Sequence, residues 1–106
     1  MSGAFRKAAY ATPVSRTAVA ADFPGFSFGV FRDPPGQVWA DFTHDTDEFV
    51  VVAEGAVQIE VAGEMADCGA GDLVLIPAQT SHTLRTSPDA GSVWYYGYGH
   101  FGGHHG

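Results

Sequence analysis

An all-β domain of short strands, closed into a sandwich or barrel, is what this sequence predicts, on three observations. Glycine and proline recur at short intervals: Pro24-Gly25, Pro34-Pro35-Gly36, Gly55, Gly63, Gly69, Gly71, Pro77, Pro88 and Gly91. The runs between them have strand length and are rich in Val, Ile, Phe, Tyr and Trp, which is the pattern of an all-β sandwich or barrel. No amphipathic segment of helical length interrupts them, and neither an internal repeat nor a linker is visible.

Taken in order, residues 1–20 read as a leader into the first strand. They hold Arg6, Lys7 and Arg16 and no acid, but no apolar stretch of signal-peptide length. Residues 21–98 hold the barrel. Phe49 to Val52 and Leu73 to Ile76 are continuously apolar, as strands covered on both faces are. Val57, Ile59 and Val61 alternate with Gln58 and Glu60, which predicts a strand with one wet face. Ala62-Gly63-Glu64 has the composition of a hairpin tip. Cys68 shares a strand with Met65 and Asp67 and reads as small core filler, without the electropositive company that activates a thiol. Trp94 to Tyr98 form an aromatic strand. Residues 99–106 read as a flexible Gly/His tail, too poor in apolar surface to order itself, and His104 and His105 are not counted as a site.

Composition narrows the function classes. A chain of 106 residues makes one domain with a single core. Twelve acidic residues against five basic ones, net −7, disfavour a nucleic-acid partner and an anionic membrane surface. No apolar run approaches a membrane span. One cysteine excludes an intramolecular disulfide framework and fits a reducing, cytoplasmic compartment. No Ser–His–Asp triad, phosphate loop or Rossmann glycine pattern is present.

Chemistry concentrates in two stretches, Gly36 to Gly55 and Gly71 to Thr86, which carry His44, Glu48 and His82. Two imidazoles and a carboxylate suit a divalent transition metal with open positions. On one straight strand, residues four apart are roughly 13 Å from each other, whereas metal–ligand bonds are only about 2.0–2.2 Å. His44 and Glu48 therefore share an ion only if the chain reverses at Asp45-Thr46-Asp47, which is rich in turn formers. His44 then closes one strand and Glu48 opens the next. Phe42 falls beside His44, two residues away on the same face. Trp39, Trp94, Tyr96 and Tyr98 are expected to line the barrel or a subunit interface, with Gln79 near the turn into His82. The competing reading leaves each histidine a satisfied polar residue and Asp45, Asp47 and Glu48 a solvated turn.

These stretches resemble the two motifs of the cupin superfamily. Gly36, His44, Glu48 and Gly55 match the first glycine, second histidine, glutamate and last glycine of motif one, and Gly71, Pro77 and His82 match the first glycine, proline and histidine of motif two. Fifteen residues separate the motifs, as in compact single-domain cupins. Phe42 stands at the first histidine, Gln79 at the inner glycine and Thr86 at the asparagine.

The resemblance implies a small jelly-roll-like barrel, a double-stranded β-helix, with His44, Glu48 and His82 as ligands of Fe, Mn, Ni, Zn or Cu. It implies a small-molecule ligand in the barrel, with Phe42, Trp39, Gln79, Trp94 and Tyr96 lining the pocket. Cupins include dioxygenases, isomerases, decarboxylases and pure binding proteins, so neither an enzymatic role nor a reaction follows from the fold. One alternative is a metal-free, non-enzymatic binding module with an apolar cavity around Phe42. Another is a metal-independent isomerase using His82 as general base, for which no titratable partner stands out. The aromatic content leads us to expect a homodimer with two-fold symmetry.

Overall fold

A computed structural model describes residues 4–87, 89 and 91–101, with the backbone alone for residues 40–42. The fold is all-β, with eight strands and one short helix among the described residues. The strands are β1 (Phe5–Arg6), β2 (Gly29–Asp33), β3 (Val38–Phe42), β4 (Asp47–Val61), β5 (Glu64–Gly69), β6 (Leu73–Ile76), β7 (His82–Thr86) and β8 (Ser92–Gly99). All pairings are antiparallel. One sheet runs β1-β6-β4-β8-β2 and the other β5-β4-β7-β3, with β4 shared by both.

The sharing of β4 corrects the expected break at Gly55. Glu48 to Val51 pair with β6, and Ala56 to Val61 pair with β5. Between the two halves the register slips near Val52 and Glu54, and Gly55 takes φ +81°. A Cβ on Gly55 would lie 2.3 Å from the Gly91 carbonyl oxygen, so glycine is required both for the backbone angle and for the close approach. Gly55 bends a continuous strand across two sheets and does not end one.

Period-two alternation sorts β4 between two cores. Val50, Val52, Val57, Ile59 and Val61 face Cys68, Val74, Ile76, Leu84 and Trp94 between the sheets. Phe49, Val51 and Ala53 point the other way, to Val14, Val19, Leu73, Val93 and Tyr95. The run Phe49 to Ala53 is unbroken because both of its faces are covered. The expected hairpin tip is present: Val61 pairs with Glu64, and Ala62 and Gly63 both have positive φ, as a type I′ turn requires.

Covering the outer face is the N-terminal segment, which contains a helix that the sequence pattern did not predict. Helix α1 spans Arg16–Asp22, with Ser15 capping it by accepting from the Ala18 N–H. Seven residues with one buried side chain, Val19, are too short for a 3.6-residue period to be visible. Phe23 stacks on Phe49 at 4.2 Å and Phe26 packs beside both. The segment is pinned by Asp72, which accepts from the Ala8 and Gly69 N–H groups and from Lys7 Nζ at 2.6–2.8 Å. Burial pushes the Asp72 carboxyl upward, but these donors outweigh it and hold the group below its ordinary value. At the other end, Gly99 still belongs to β8 and the Phe101 N–H donates to Asp47. His104 and His105 lie outside the described residues.

Candidate metal centre

His44, Glu48 and His82 reach one point from three elements. Glu48 is the second residue of β4 and His82 the first of β7. His44 lies in the connection between β3 and β4, two residues beyond the end of β3, so the chain reverses over Asp45-Thr46 as the turn composition predicted. That connection is tied to the turn before β7. The Gln79 N–H donates to the His44 carbonyl at 2.8 Å, and the Ala78 N–H donates to Asp47 Oδ1 at 2.7 Å. Two loops distant in sequence are thereby clamped together, one carrying His44 and the other leading into His82.

One potential ligand atom from each of the three residues lies within 4.8 Å of the others. Glu48 Oε1 is 3.4 Å from His82 Nε2 and 3.5 Å from His44 Nε2. Two ligands at tetrahedral angles on bonds of about 2.1 Å are roughly 3.4 Å apart, so these separations suit a shared ion. Glu48 and His82 are buried and His44 is half-buried. Glu48 Oε1 is fully enclosed, and among the described residues no hydrogen bond satisfies it. A carboxylate oxygen in a core without a hydrogen bond is expensive, and a cation facing it removes the penalty. The His82 ring is oriented on its other side, where Nδ1 lies 3.4 Å from the Thr80 carbonyl.

The triad forms one end of a cavity of about 250 Å³, lined also by Phe31, Trp39, Leu84, Trp94, Tyr96 and Tyr98. Trp39, Trp94, Tyr96 and Tyr98 are therefore lining residues. Tyr98 stands edge-on to His44, with ring centres 4.9 Å apart. Burial, with the Glu48 and Tyr96 charges adding to it, pushes the Tyr98 phenol up to about 12. Its hydroxyl therefore stays protonated.

One pocket expectation turns out differently, and a second falls on a side chain outside the described residues. Gln79 does not line the cavity: it is exposed, and its amide donates to Asp45 Oδ1 at 3.2 Å. It has φ +64°, the left-handed angle that explains a glycine at this place in the motif. Phe42 pairs with His82 in the β3–β7 register, but its side chain lies outside the described residues. Phe31, Leu84 and Asp33 were missed. Asp33 ends β2 and is 5% exposed, accepting from the Trp39 and Trp94 indoles at 3.0 and 2.8 Å. In the sequence it precedes Pro34-Pro35-Gly36 and has the look of a solvated turn residue.

No helix among the described residues is long and apolar enough to cross a membrane. No curated protein matches the chain. Solved structures do, at low identity. The plu4264 protein of Photorhabdus luminescens aligns with a TM-score of 0.65 at 20% identity, over 71% of this chain and 62% of that one. An RmlC-like cupin of Shewanella frigidimarina aligns at 0.65 and 19% identity, over 70% and 65%. TT1209 of Thermus thermophilus aligns at 0.64 and 20% identity, over 72% and 74%. The chain thus spans less than two thirds of the length of the first two, and these likenesses carry the fold alone. The sequence profile described as Cupin domain matches residues 29–96, from the start of β2 into β8. On that match, over more than half of its length and with the fold to support it, the chain belongs to the cupin family.

Proposed function

We propose that His44, Glu48 and His82 hold a divalent transition metal at one end of the barrel and present it to a small molecule in the cavity. The observation that carries this reading is Glu48 Oε1, a buried oxygen without a hydrogen bond among the described residues, facing both histidine Nε2 atoms. The donor set of two imidazoles and one carboxylate is that of sites for Fe, Mn, Ni, Zn or Cu. Such an ion supplies Lewis acidity to a bound oxygen. The chain's own residues fix the imidazoles, exclude bulk water behind Glu48 and offer the Tyr98 hydroxyl as a proton-bearing donor at the wall. Whether chemistry follows binding depends on the ligand, so the proposal is a metal-dependent small-molecule site rather than a named reaction.

The test is elemental analysis of tag-free protein, as purified and after reconstitution with each divalent metal. One equivalent bound in wild type and none in Glu48→Ala is expected. Wild-type protein that binds no metal under any of these conditions removes the reading. A second reading, a metal-free binding module, is favoured by the walls of Phe31, Trp39, Leu84 and Trp94, which are apolar. It predicts ligand binding that is indifferent to chelators.

The same proposal includes a cytoplasmic protein without nucleic-acid or membrane partners, on the strength of its net charge of −7. It includes a homodimer, for which the exposed Phe28, Val38 and Met65 offer apolar contact surface. Light scattering at micromolar concentration tests the mass.

A further inference from the structure

The cavity wall beyond the triad has a chemistry of its own. Trp39, Phe31, Trp94, Tyr96 and Tyr98 follow one another, each ring centre 5.1–5.8 Å from the next. Tyr98 passes the series on to His44, and His44 to His82. The two indoles are locked by one buried carboxylate, since Asp33 takes the N–H of Trp39 on Oδ1 and that of Trp94 on Oδ2. Their N–H groups are thus committed to Asp33, behind the wall, and what the indoles offer the cavity is ring surface. None of the five basic residues, Arg6, Lys7, Arg16, Arg32 and Arg85, lines it. Among the described lining residues the carboxylate is that of Glu48, in a chain of net charge −7.

We infer that the cavity selects an uncharged ligand built on an aromatic ring, with Asp33 as the positioning residue that holds the two indoles as its wall. This names the ligand class for the site proposed above and rests on that reading. Aromatic pairs at edge-on or offset angles gain energy beyond area burial, and a sequence of fixed rings offers such angles without reordering. Without the ion, a carboxylate or phosphate ligand would meet no guanidinium or ammonium here and would face Glu48. A sugar would bring several hydroxyls to a wall that, beside the triad, offers them only the Tyr96 and Tyr98 hydroxyls among the described lining residues. About 250 Å³ is less than the roughly 300–1,000 Å³ of drug-sized sites, so the molecule is small.

The chain carries its own reporter, because Trp39 and Trp94 are its two tryptophans and both line the cavity. The experiment titrates tag-free protein, chelator-treated and zinc-reconstituted, with benzyl alcohol, benzoate and methyl glucoside, reading indole emission excited at its red edge. Saturable binding of benzyl alcohol to the chelator-treated protein, at least about tenfold tighter than either competitor, is expected. Benzoate or the glucoside binding as tightly to the chelator-treated protein, or no saturable response to benzyl alcohol there, overturns the inference. Metal analysis of the same samples separates the two proposals. Metal bound without benzyl alcohol binding sinks this one alone, and the converse sinks the metal centre alone. Asp33→Asn places an amide N–H against one indole N–H. It should narrow the preference for benzyl alcohol over the glucoside while leaving metal content unchanged. An undiminished preference in folded Asp33→Asn removes the positioning role, and if that variant does not fold, the wild-type ligand comparison still decides the ligand class.

Discussion

Glu48 Oε1 lies 3.4 Å from His82 Nε2 inside the barrel, and among the described residues no hydrogen bond satisfies it. A carboxylate oxygen in that state is a local liability of the metal-free protein. Glu48→Gln retains the shape and removes the charge. In chelator-treated samples it should leave the melting temperature unchanged or raise it, by the equivalent of about 1 kcal/mol. In metal-loaded samples it should lower it, because a ligand is lost. A Gln variant that is less stable in both states would show that Glu48 is satisfied without an ion.

Phe42 occupies the place of the first histidine in the family motif, and its backbone pairs with His82. Phe42→His should supply a fourth ligand and tighten metal binding by about tenfold or more, read by competition with a chelator. Unchanged affinity in a folded variant would separate position 42 from the site.

Asp72 carries a pH prediction. Its folded carboxyl sits below the ordinary value of 3.8 because the Ala8 and Gly69 N–H groups and Lys7 outweigh the effect of burial. A depressed folded value stabilises the native state above the unfolded value and loses that contribution as pH falls through the folded one. Urea unfolding midpoints should therefore fall with pH below about 4, and Asp72→Asn should flatten that limb. Near neutral pH the variant should be less stable by on the order of 1–3 kcal/mol, with most of the loss from the two backbone donors, since Lys7 is largely exposed. An unchanged acid limb in the variant would place the acid sensitivity elsewhere.

Gly29 lies under the Tyr96 side chain, and a Cβ there would come within 2.7–2.9 Å of two ring carbons and the hydroxyl oxygen. Gly29→Ala should displace that ring toward the cavity at a cost of about 1–3 kcal/mol. Thermal melting together with indole emission measures both effects, and a variant that melts like wild type would mean that Tyr96 moves freely.

Cys68 is buried, and burial above all pushes its thiol up to about 11. Alkylating reagents should leave the native protein unmodified near neutral pH and label it stoichiometrically in denaturant, as mass spectrometry reads directly.

The sequence carried much of the fold because the strand signals are local. Alternation at Val57 to Val61, turn formers at Ala62-Gly63 and the apolar run from Phe49 each depend on near neighbours. What stayed hidden depends on contacts made at long range. Gly55 looks the same in sequence whether it ends a strand or bends one, and the Gly91 carbonyl decides. Helix α1 is too short to show a period and is held by Phe49, Val51 and Leu73, far along the chain. Asp33 became a buried acceptor only once Trp94, 61 residues away, reached it. The meeting of His44 with Glu48 was legible because their spacing needs a reversal that the turn composition allows, and His82 joined them through the resemblance to the second motif, whereas Gln79 was placed by proximity in sequence, and its backbone angle turns its amide to Asp45.

Strand β4 passes through both sheets without a gap, pairing with β6 and β8 in its first half and with β5 and β7 in its second. Among the described strands, the two sheets are therefore joined through one continuous strand, and each keeps its inner pairing only while β4 stays in place. Amide protons of Val50, Val52 and Ile59 should exchange with solvent in a single slow class, released only when the whole domain unfolds. The triad inherits that rigidity through Glu48, which is rooted in the one element that neither sheet can do without.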